Sequence, residues 1–398
     1  MCKFHVIGIS DQTEPVLTLE VQEVINSSSV FSGGSRHYEL VKDLLPPNHQ
    51  WIDVLVPLKQ TFEQYRQIKE AIVVFASGDP LFFGIANTIR SELPNASMHV
   101  YSCFNSLQML AQHCLLPYGN MLIATLTGRP WENLDKELIN GTGLIGVLTD
   151  RKKTPSAIAQ RMLDAGLTNY KVYLGERMGG ERQIVRELSV EALSDTDTIM
   201  PNCLILEKTS HFERTAGIHE SAFNHLAGRP KMITKRSLRL MSLSMLKLDT
   251  AKVFWDIGFC TGSVSIEVKQ AKPAIEVFAI EKREESAELM ASNQKKFRTP
   301  GINWCIDDFY TCNLEQWHTP DRVFIGGHGG KLPQMLERLN HYLQPGGIIV
   351  FNAVSSETAS IFIKTALDLK LVISDQMHLT QDDHNPVSII QASKRINA

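Results

Sequence analysis

Short apolar runs alternate with longer amphipathic stretches along most of the chain, and this alternation predicts an α/β fold. In the first half the strand-like runs are Phe4 to Ile9, Trp51 to Val56, Ala71 to Ala76, His99 to Tyr101, Met121 to Leu126 and Leu144 to Leu148. The segments between them are long enough for crossover helices, which favours parallel pairing. An amphipathic stretch runs from Leu17 to Ile25. A second helix is well punctuated: Thr154 can cap it, Pro155 suits its first turn, and Gly166 can end it after Ile158, Met162 and Leu163. Lys171 to Leu174, Gln183 to Leu188 and Cys203 to Leu206 follow as strands, some of them antiparallel. Residues 209–228 lack a clear period before Phe223 to Leu226. They read as a linker between a domain at 1–208 and another at 229–398.

The second half is more regular. Strand-like runs fall at Val253–Ile257, Glu276–Ile280, Asn303–Ile306, Arg322–Gly326, Ile348–Ala353, Leu371–Ser374 and Val387–Gln391. Helical stretches such as Ser286 to Lys296 and Leu332 to Leu343 separate the first five. The last two are joined only through Asp382-Asp383-His384-Asn385-Pro386. Five alternating units closed by an antiparallel pair predict a seven-stranded, Rossmann-like sheet.

Composition narrows the class rather than the chemistry. A chain of 398 residues with 43% hydrophobic and 21% charged residues suits two or three soluble domains. A net charge of −3 gives no reason to expect nucleic acid or a membrane surface as partner. The seven cysteines are scattered and form no Cys-x-x-Cys, so neither a metal site nor a disulfide framework is indicated. Reduced thiols in a cytoplasmic protein are expected. No apolar run approaches the length that crosses a bilayer, and the start lacks the apolar core of a signal peptide.

Candidate chemistry concentrates at Val253 to Glu267, where a strand, a glycine turn and a helix follow one another. That plan can hold a nucleotide-like cofactor on the carboxyl edge of a sheet. Acidic Asp256 argues against a diphosphate and suits a cationic or amino-acid-bearing ligand, of which S-adenosylmethionine is the commonest. A tight turn without a ligand is the plainer alternative. Glu281 ends the next strand 19 residues after Gly262, where a carboxylate can accept both ribose hydroxyls. Asp307 and Asp308 end the third strand, within reach of an adenine edge. The run Arg229 to Arg239 holds five basic residues and no acidic one. It is either a solvated face or a rim for a polycarboxylated ligand. In the first half a strand ends at Ser77 and Gly78-Asp79-Pro80 forces a turn, with Leu81, Phe82 and Phe83 as an apolar wall or a simple plug. No Ser-His-Asp or Cys-His arrangement is evident.

Ser77-Gly-Asp-Pro-Leu-Phe-Phe-Gly84 resembles the cofactor loop of the tetrapyrrole (precorrin) methylases, and more narrowly of those that methylate carbon 5 of precorrin-6Y. Gly33-Gly34-Ser35-Arg36-His37-Tyr38-Glu39-Leu40, Thr127-Gly128-Arg129, Leu148-Thr-Asp150 with Thr154-Pro155, and Gly175-Glu176-Arg177-Met178-Gly179-Gly180-Glu181 stand in that family's order. Thr127 takes the place of a usual histidine. After the first strand the family has Gly-x-Gly-Pro-Gly, of which only Gly8 is present. The second half is similar to the family that methylates carbon 15 and decarboxylates a ring acetate. Ile233-Thr-Lys-Arg-Ser-Leu-Arg239, Trp255-Asp-Ile-Gly258, Thr261-Gly-Ser-Val-Ser-Ile-Glu267, Ala279-Ile-Glu-Lys282, Arg322-Val-Phe-Ile-Gly-Gly327, Pro345-Gly-Gly347 and Asn352-Ala-Val354 carry that likeness. Gly-Gly-His-Gly-Gly at 326–330 replaces a usual Gly-Gly-Ser-Gly-Gly.

Together the halves resemble fused precorrin-6Y methyltransferases of cobalamin biosynthesis. The resemblance implies a two-lobed tetrapyrrole methylase fold followed by a class I methyltransferase domain, with one S-adenosylmethionine per half. It implies cofactor contacts from Gly8, Ser77, Gly78, Asp79, Leu81, Phe82, Ser106 and Thr127, and from Asp256, Gly258, Thr261, Gly262, Glu281 and Asp308. Substrate contacts are expected from Lys231, Thr234, Lys235, Arg236, Gly327, His328 and Asn352, for a precorrin held by a homo-oligomer without a metal. Two other readings stand beside it. One is an NAD-dependent oxidoreductase on the 253–281 unit, disfavoured by the incomplete Gly-x-Gly-x-x-Gly. The other is a one-site methyltransferase whose first half only binds.

Overall fold

The computed structural model describes residues 2–12, 15–380 and 386–396. Its chain divides into two units, one of residues 1–128, 143–158 and 170–208, the other of 129–142, 159–169 and 209–398.

In the first unit, strands β1 (Lys3–Ile9), β2 (Val30–Gly33), β3 (Gln50–Asp53), β4 (Ala71–Ser77) and β5 (Ser97–Tyr101) form an all-parallel sheet in the order β3-β2-β4-β1-β5. The chain leaves β1 toward one edge and β4 toward the other, so the order reverses between these two strands. A crevice opens at such a point beyond the carboxyl ends. Strands β6 (Leu122–Thr125), β7 (Leu144–Leu148), β8 (Tyr170–Glu176), β9 (Ile184–Ser189) and β10 (Asn202–Lys208) form a second sheet, β6-β7-β10-β8-β9, in which only β6 and β7 are parallel.

Strand β2 has no counterpart among the apolar runs of the sequence. It is four residues long and carries Ser32 and Gly33, too little apolar pattern to signal itself. Its place between β3 and β4 buries it, and the Ser32 hydroxyl lies 2.7 Å from both Ile52 O and Tyr65 Oη. Strand β3 ends at Asp53, three residues before the predicted end. It is an edge strand, and Val56 is exposed.

In the second unit, β11 (Val253–Ile257), β12 (Glu276–Glu281), β13 (Ile302–Ile306), β14 (Arg322–Ile325), β15 (Ile348–Ala353), β16 (Val372–Leu379) and β17 (Val387–Ser393) form the seven-stranded sheet, ordered β13-β12-β11-β14-β15-β17-β16. The first five are parallel and β17 runs antiparallel to both β15 and β16. The connection through Asp382 to Asn385 lies outside the described residues. Strand β11 is buried throughout, with Trp255 on one face of the sheet and Phe254 on the other. This suits a central parallel strand covered on both sides. The order reverses between β11 and β14, placing the crevice there.

Residues 209–235 are not a free joint. Phe223 is buried in the core beside Phe254 and Met290. Ile218 N donates to Glu267 Oε1 at 2.6 Å, and Asn224 N to Asn293 Oδ1 at 2.8 Å. Within the basic run, Arg239 is fully buried, pairing with Glu267 at 3.0 Å and lying over the Phe223 ring.

Candidate active sites

The first cavity opens where β1 and β4 end. A Cβ on Gly8 would overlap Gly78 O, so these two strand ends approach closely only because residue 8 is glycine. The hollow beyond them, about 340 Å³, is lined by Ser77, Gly78, Phe82, Ser106 and Thr127. An adjoining hollow of about 790 Å³ takes in Gly8 and Asp79. Leu81 lines neither and is 46% exposed; its N–H donates to Asp79 Oδ1 at 2.8 Å, which fixes the turn.

Three side chains converge at the mouth of this cavity. Arg36 Nη1 pairs with Asp11 at 2.7 Å, and Arg36 Nη2 donates to Ser77 Oγ at 2.6 Å. His37 Nε2 lies 2.9 Å from the same Ser77 oxygen. The proton position follows from the other ring nitrogen. Gly34 N–H donates to His37 Nδ1 at 3.2 Å, so Nδ1 is bare and Nε2 carries the hydrogen. Burial, and secondarily the Arg36 charge, push the imidazole pKa down to about 4, so the ring is neutral near pH 7. Ser77 Oγ therefore accepts twice, and its own hydrogen is left to donate into the cavity that Ser77 lines. His37 cannot take a proton from Ser77, so the pair is a fixed donor and not a nucleophile with its base. Asp11, Arg36 and His37 are absent from the residues read as functional in the sequence. The signal was present, since Arg36 and His37 belong to the Gly-Gly-Ser-Arg-His motif.

The second cavity, about 650 Å³, lies at the carboxyl ends of β11, β12, β13 and β14. A Cβ on Gly258 would sit 2.7 Å from Gly327 N, so the turns after β11 and β14 meet across the reversal point only through glycine. Gly258, Thr261, Glu281, Asp308, Thr234, Gly327, His328 and Asn352 all line it. The Glu281 carboxylate is anchored on both oxygens. Oε1 accepts from Lys282 N (2.9 Å), Arg283 N (3.2 Å) and Arg283 Nη1 (2.9 Å), and Oε2 from Cys260 N (3.2 Å). Asp308 Oδ1 accepts from Tyr310 N at 2.9 Å.

Several expected residues are placed elsewhere. Gly262 packs against Met290 beneath the turn. Lys231, Lys235 and Arg236 do not line the cavity; Lys231 and Arg236 are exposed, and Arg236 N donates to Glu220 Oε2 at 3.3 Å. Asp256 also lies below the cavity, 1% exposed, with Oδ2 accepting from Ser265 N (3.1 Å) and Ser265 Oγ (2.6 Å). Burial pushes its pKa up to about 7, with the Glu281 charge acting the same way and the Ser265 bonds opposing. The cations that line the cavity are Lys282, Arg283 and Lys331, outside the basic run. Lys282 and Arg283 directly follow Glu281, a position the sequence reading passed over.

Phe259 and Cys260, in the turn after β11, take opposite orientations. Phe259 turns into the core near Trp304, and Cys260 adopts a left-handed φ of +49° with Sγ 3.2 Å from Met232 O. The residues fit S-adenosylmethionine on this structure's own terms. Thr261 lines the cavity, and its buried Oγ1 has no partner among the described residues, which leaves one polar group in the cavity wall unsatisfied by the protein. Glu281 stands beside it as a carboxylate for hydroxyl groups. In the first unit the directed Ser77 donor gives the same indication.

Both halves of the chain are similar to known proteins. The tetrapyrrole (corrin/porphyrin) methylases match residues 3–194, and the precorrin methyltransferase domain matches residues 222–380. A Sinorhizobium precorrin-6Y C(5,15)-methyltransferase [decarboxylating] is 26% identical over 90% of this chain and 86% of its own. A Salmonella typhimurium cobalt-precorrin-6B C(15)-methyltransferase (decarboxylating) is 32% identical over 33% of this chain and 67% of its own. Among solved structures, a precorrin-6Y C5,15-methyltransferase from Geobacter metallireducens is 33% identical, covering 45% of this chain and 97% of that one, with a TM-score of 0.41. The chain belongs to the precorrin-6Y C(5,15)-methyltransferase (decarboxylating) family, a tetrapyrrole methylase half followed by a precorrin methyltransferase half.

Proposed function

We propose that this enzyme methylates a precorrin at carbons 5 and 15 and removes a ring acetate carboxyl as CO₂, with one S-adenosylmethionine bound in each half. The observation that carries the reading is the presence of two separate cavities, each at the order-reversal point of a parallel sheet and each lined by its own motif. Bound S-adenosylmethionine supplies a methyl group already activated on its sulfonium. The chain's residues then have to bind, orient and exclude water, and orientation supplies much of the rate. Ser77 and Glu281 would hold the cofactor's polar groups, and Lys282, Arg283 and Lys331 the macrocycle's carboxylates. Residues 1–208 and 229–398 form the two halves in this reading. It also places the protein in the cytoplasm as a homo-oligomer. The unpaired outer edge of β16 supports association, and light scattering measures it.

Mass spectrometry of products made from precorrin-6Y tests the division of labour. Glu281→Ala should lose carbon-15 methylation and CO₂ release while carbon-5 methylation persists, and Ser77→Ala should show the converse bias. Loss of both methylations in either variant overturns the two-site reading. Calorimetry with S-adenosylhomocysteine should give two sites per chain; one site overturns the assignment of a cofactor to each half.

A further inference from the structure

The two cavities share a device. Gly330 N–H donates to His328 Nδ1 at 3.2 Å, as Gly34 does to His37. His328 is therefore also the tautomer with its hydrogen on Nε2. Here the resemblance ends, because His37 spends its Nε2–H on Ser77, whereas no described residue accepts from His328 Nε2. The ring lines the second cavity and stands edge-on to Phe351 at 5.8 Å. Tyr310 Oη holds the loop beneath it by bonding His328 O at 2.6 Å and Lys331 O at 3.0 Å. Burial lowers the imidazole pKa, which keeps the ring uncharged near neutrality.

Resting on the function proposed above, we propose that His328 holds, through Nε2–H, the acetate carboxylate that leaves as CO₂. In that step the bond between the methylene carbon and the carboxyl carbon breaks. Its electron pair passes to the methylene carbon and the conjugated ring, CO₂ departs, and the methylene carbon takes a proton from water to become methyl. Negative charge thus leaves the carboxylate as the reaction proceeds. A cation on that carboxylate would stabilise the reactant more than the transition state and slow the loss. A neutral donor orients the group without that penalty. The charged and titratable groups around the same cavity are Cys260 after β11, Glu281, Lys282 and Arg283 at the end of β12, Asp307, Asp308 and Tyr310 after β13, and Lys331 after the His328 loop. The Lys282 ammonium lies against Gly329. The three cations suit the carboxylates that the reaction keeps.

The test follows precorrin-6B and S-adenosylmethionine with wild type, His328→Ser and His328→Lys, reading methylated product with and without the carboxyl by mass spectrometry. His328→Lys should bind precorrin-6B no less tightly, yet release CO₂ roughly ten-fold or more slowly, with carbon-15-methylated product retaining its carboxyl. His328→Ser should decarboxylate faster than His328→Lys. In wild type, CO₂ release relative to methylation should fall as pH drops through the imidazole pKa, and this dependence should vanish in His328→Ser. Nitrogen-15 NMR of the protein alone should find Nδ1 bare and Nε2 protonated at pH 7. The opposite tautomer, wild-type decarboxylation by His328→Lys, or equal losses in both variants overturns the proposal. A wild-type protein that releases no CO₂ from precorrin-6B instead removes the function proposed above, and this assignment with it.

Discussion

The backbone N–H of Cys260 donates to the Glu281 carboxylate at 3.2 Å, so the end of β12 fixes the turn that follows β11. That turn holds Cys260 at φ +49°, a conformation glycine adopts freely and a side chain adopts at a cost of about 1–2 kcal/mol. Cys260→Gly relieves the strain, gives back some unfolded-state entropy, and leaves the bond to Glu281 in place. The expected outcome is a net gain of up to about 1 kcal/mol, a rise of a few degrees in thermal midpoint. S-adenosylhomocysteine affinity should change little. A lowered midpoint would show that the Sγ contact with Met232 O outweighs the strain.

The His37–Ser77–Arg36 arrangement makes a sharper claim about coupling. If His37 acts on ligand through Ser77, each of Ser77→Ala and His37→Phe should weaken S-adenosylhomocysteine binding to the first half by about 1–2 kcal/mol. In the Ser77→Ala background His37→Phe should then add little to the loss in binding, a non-additivity that a double-mutant cycle by calorimetry reads directly. Full additivity would mean that the two residues serve the site independently. Linkage gives a second check. The folded His37 pKa, about 4, lies below its unfolded value, so the neutral ring favours folding above about pH 6.5 and this contribution fades as pH falls toward 4. His37→Phe should flatten the acid side of the stability profile.

Arg239 and Glu267 carry opposite charges inside the second unit, with Arg239 0% and Glu267 4% exposed. Arg239 also donates to the carbonyls of Ile218 and Thr234, tying the segment before the helix Arg236–Met245 to that helix. Removing one charge leaves the other buried and unpaired, so Arg239→Met should cost about 3–5 kcal/mol in urea denaturation. Arg239→Met with Glu267→Met should cost less than the sum of the two single changes. A small loss in the single variant would show that water reaches Glu267.

What the sequence made legible, and what it hid, divides along these residues. The seven-stranded sheet was readable because β11, β12, β14 and β15 are short, mostly apolar runs and the helices between them keep their period. Glu281 and Asp308 stood out as acidic residues at strand ends, whereas Thr261, Gly327, His328 and Asn352 were pointed to by the family resemblance. Strand β2 was hidden because its burial comes from neighbours distant in sequence rather than from its own side chains. The basic run misled for a related reason. Spacing shows that charges are adjacent in sequence, but not that Arg239 finds Glu267, 28 residues on, while Lys231 stays exposed. The left-handed conformation of Cys260 was hidden as well, because a backbone angle is invisible in a string of letters. His37 and His328 gained their meaning only from a glycine N–H on one ring nitrogen.

Asp256 supplies the last prediction. A carboxyl group with a folded pKa of about 7 and an unfolded value near 4 binds its proton more tightly when folded. Across that window the unfolded state ionises first. This group's contribution therefore falls as pH rises from about 4, and the loss grows until the folded carboxyl ionises near 7. The full span approaches about 4 kcal/mol, since each tenfold change in proton affinity is worth about 1.36 kcal/mol. Asp256→Asn keeps an oxygen for the two Ser265 donors and cannot ionise. Relative to wild type, the variant should therefore gain stability between pH 5 and pH 8, measured by urea unfolding at each pH. The amide brings its own constant cost, because its N–H groups face the side where Oδ1 has no partner, but a constant cost leaves the slope unchanged. A difference that does not vary with pH would mean that Asp256 is ionised throughout, and that the turn below the second cavity is more polar than its burial suggests.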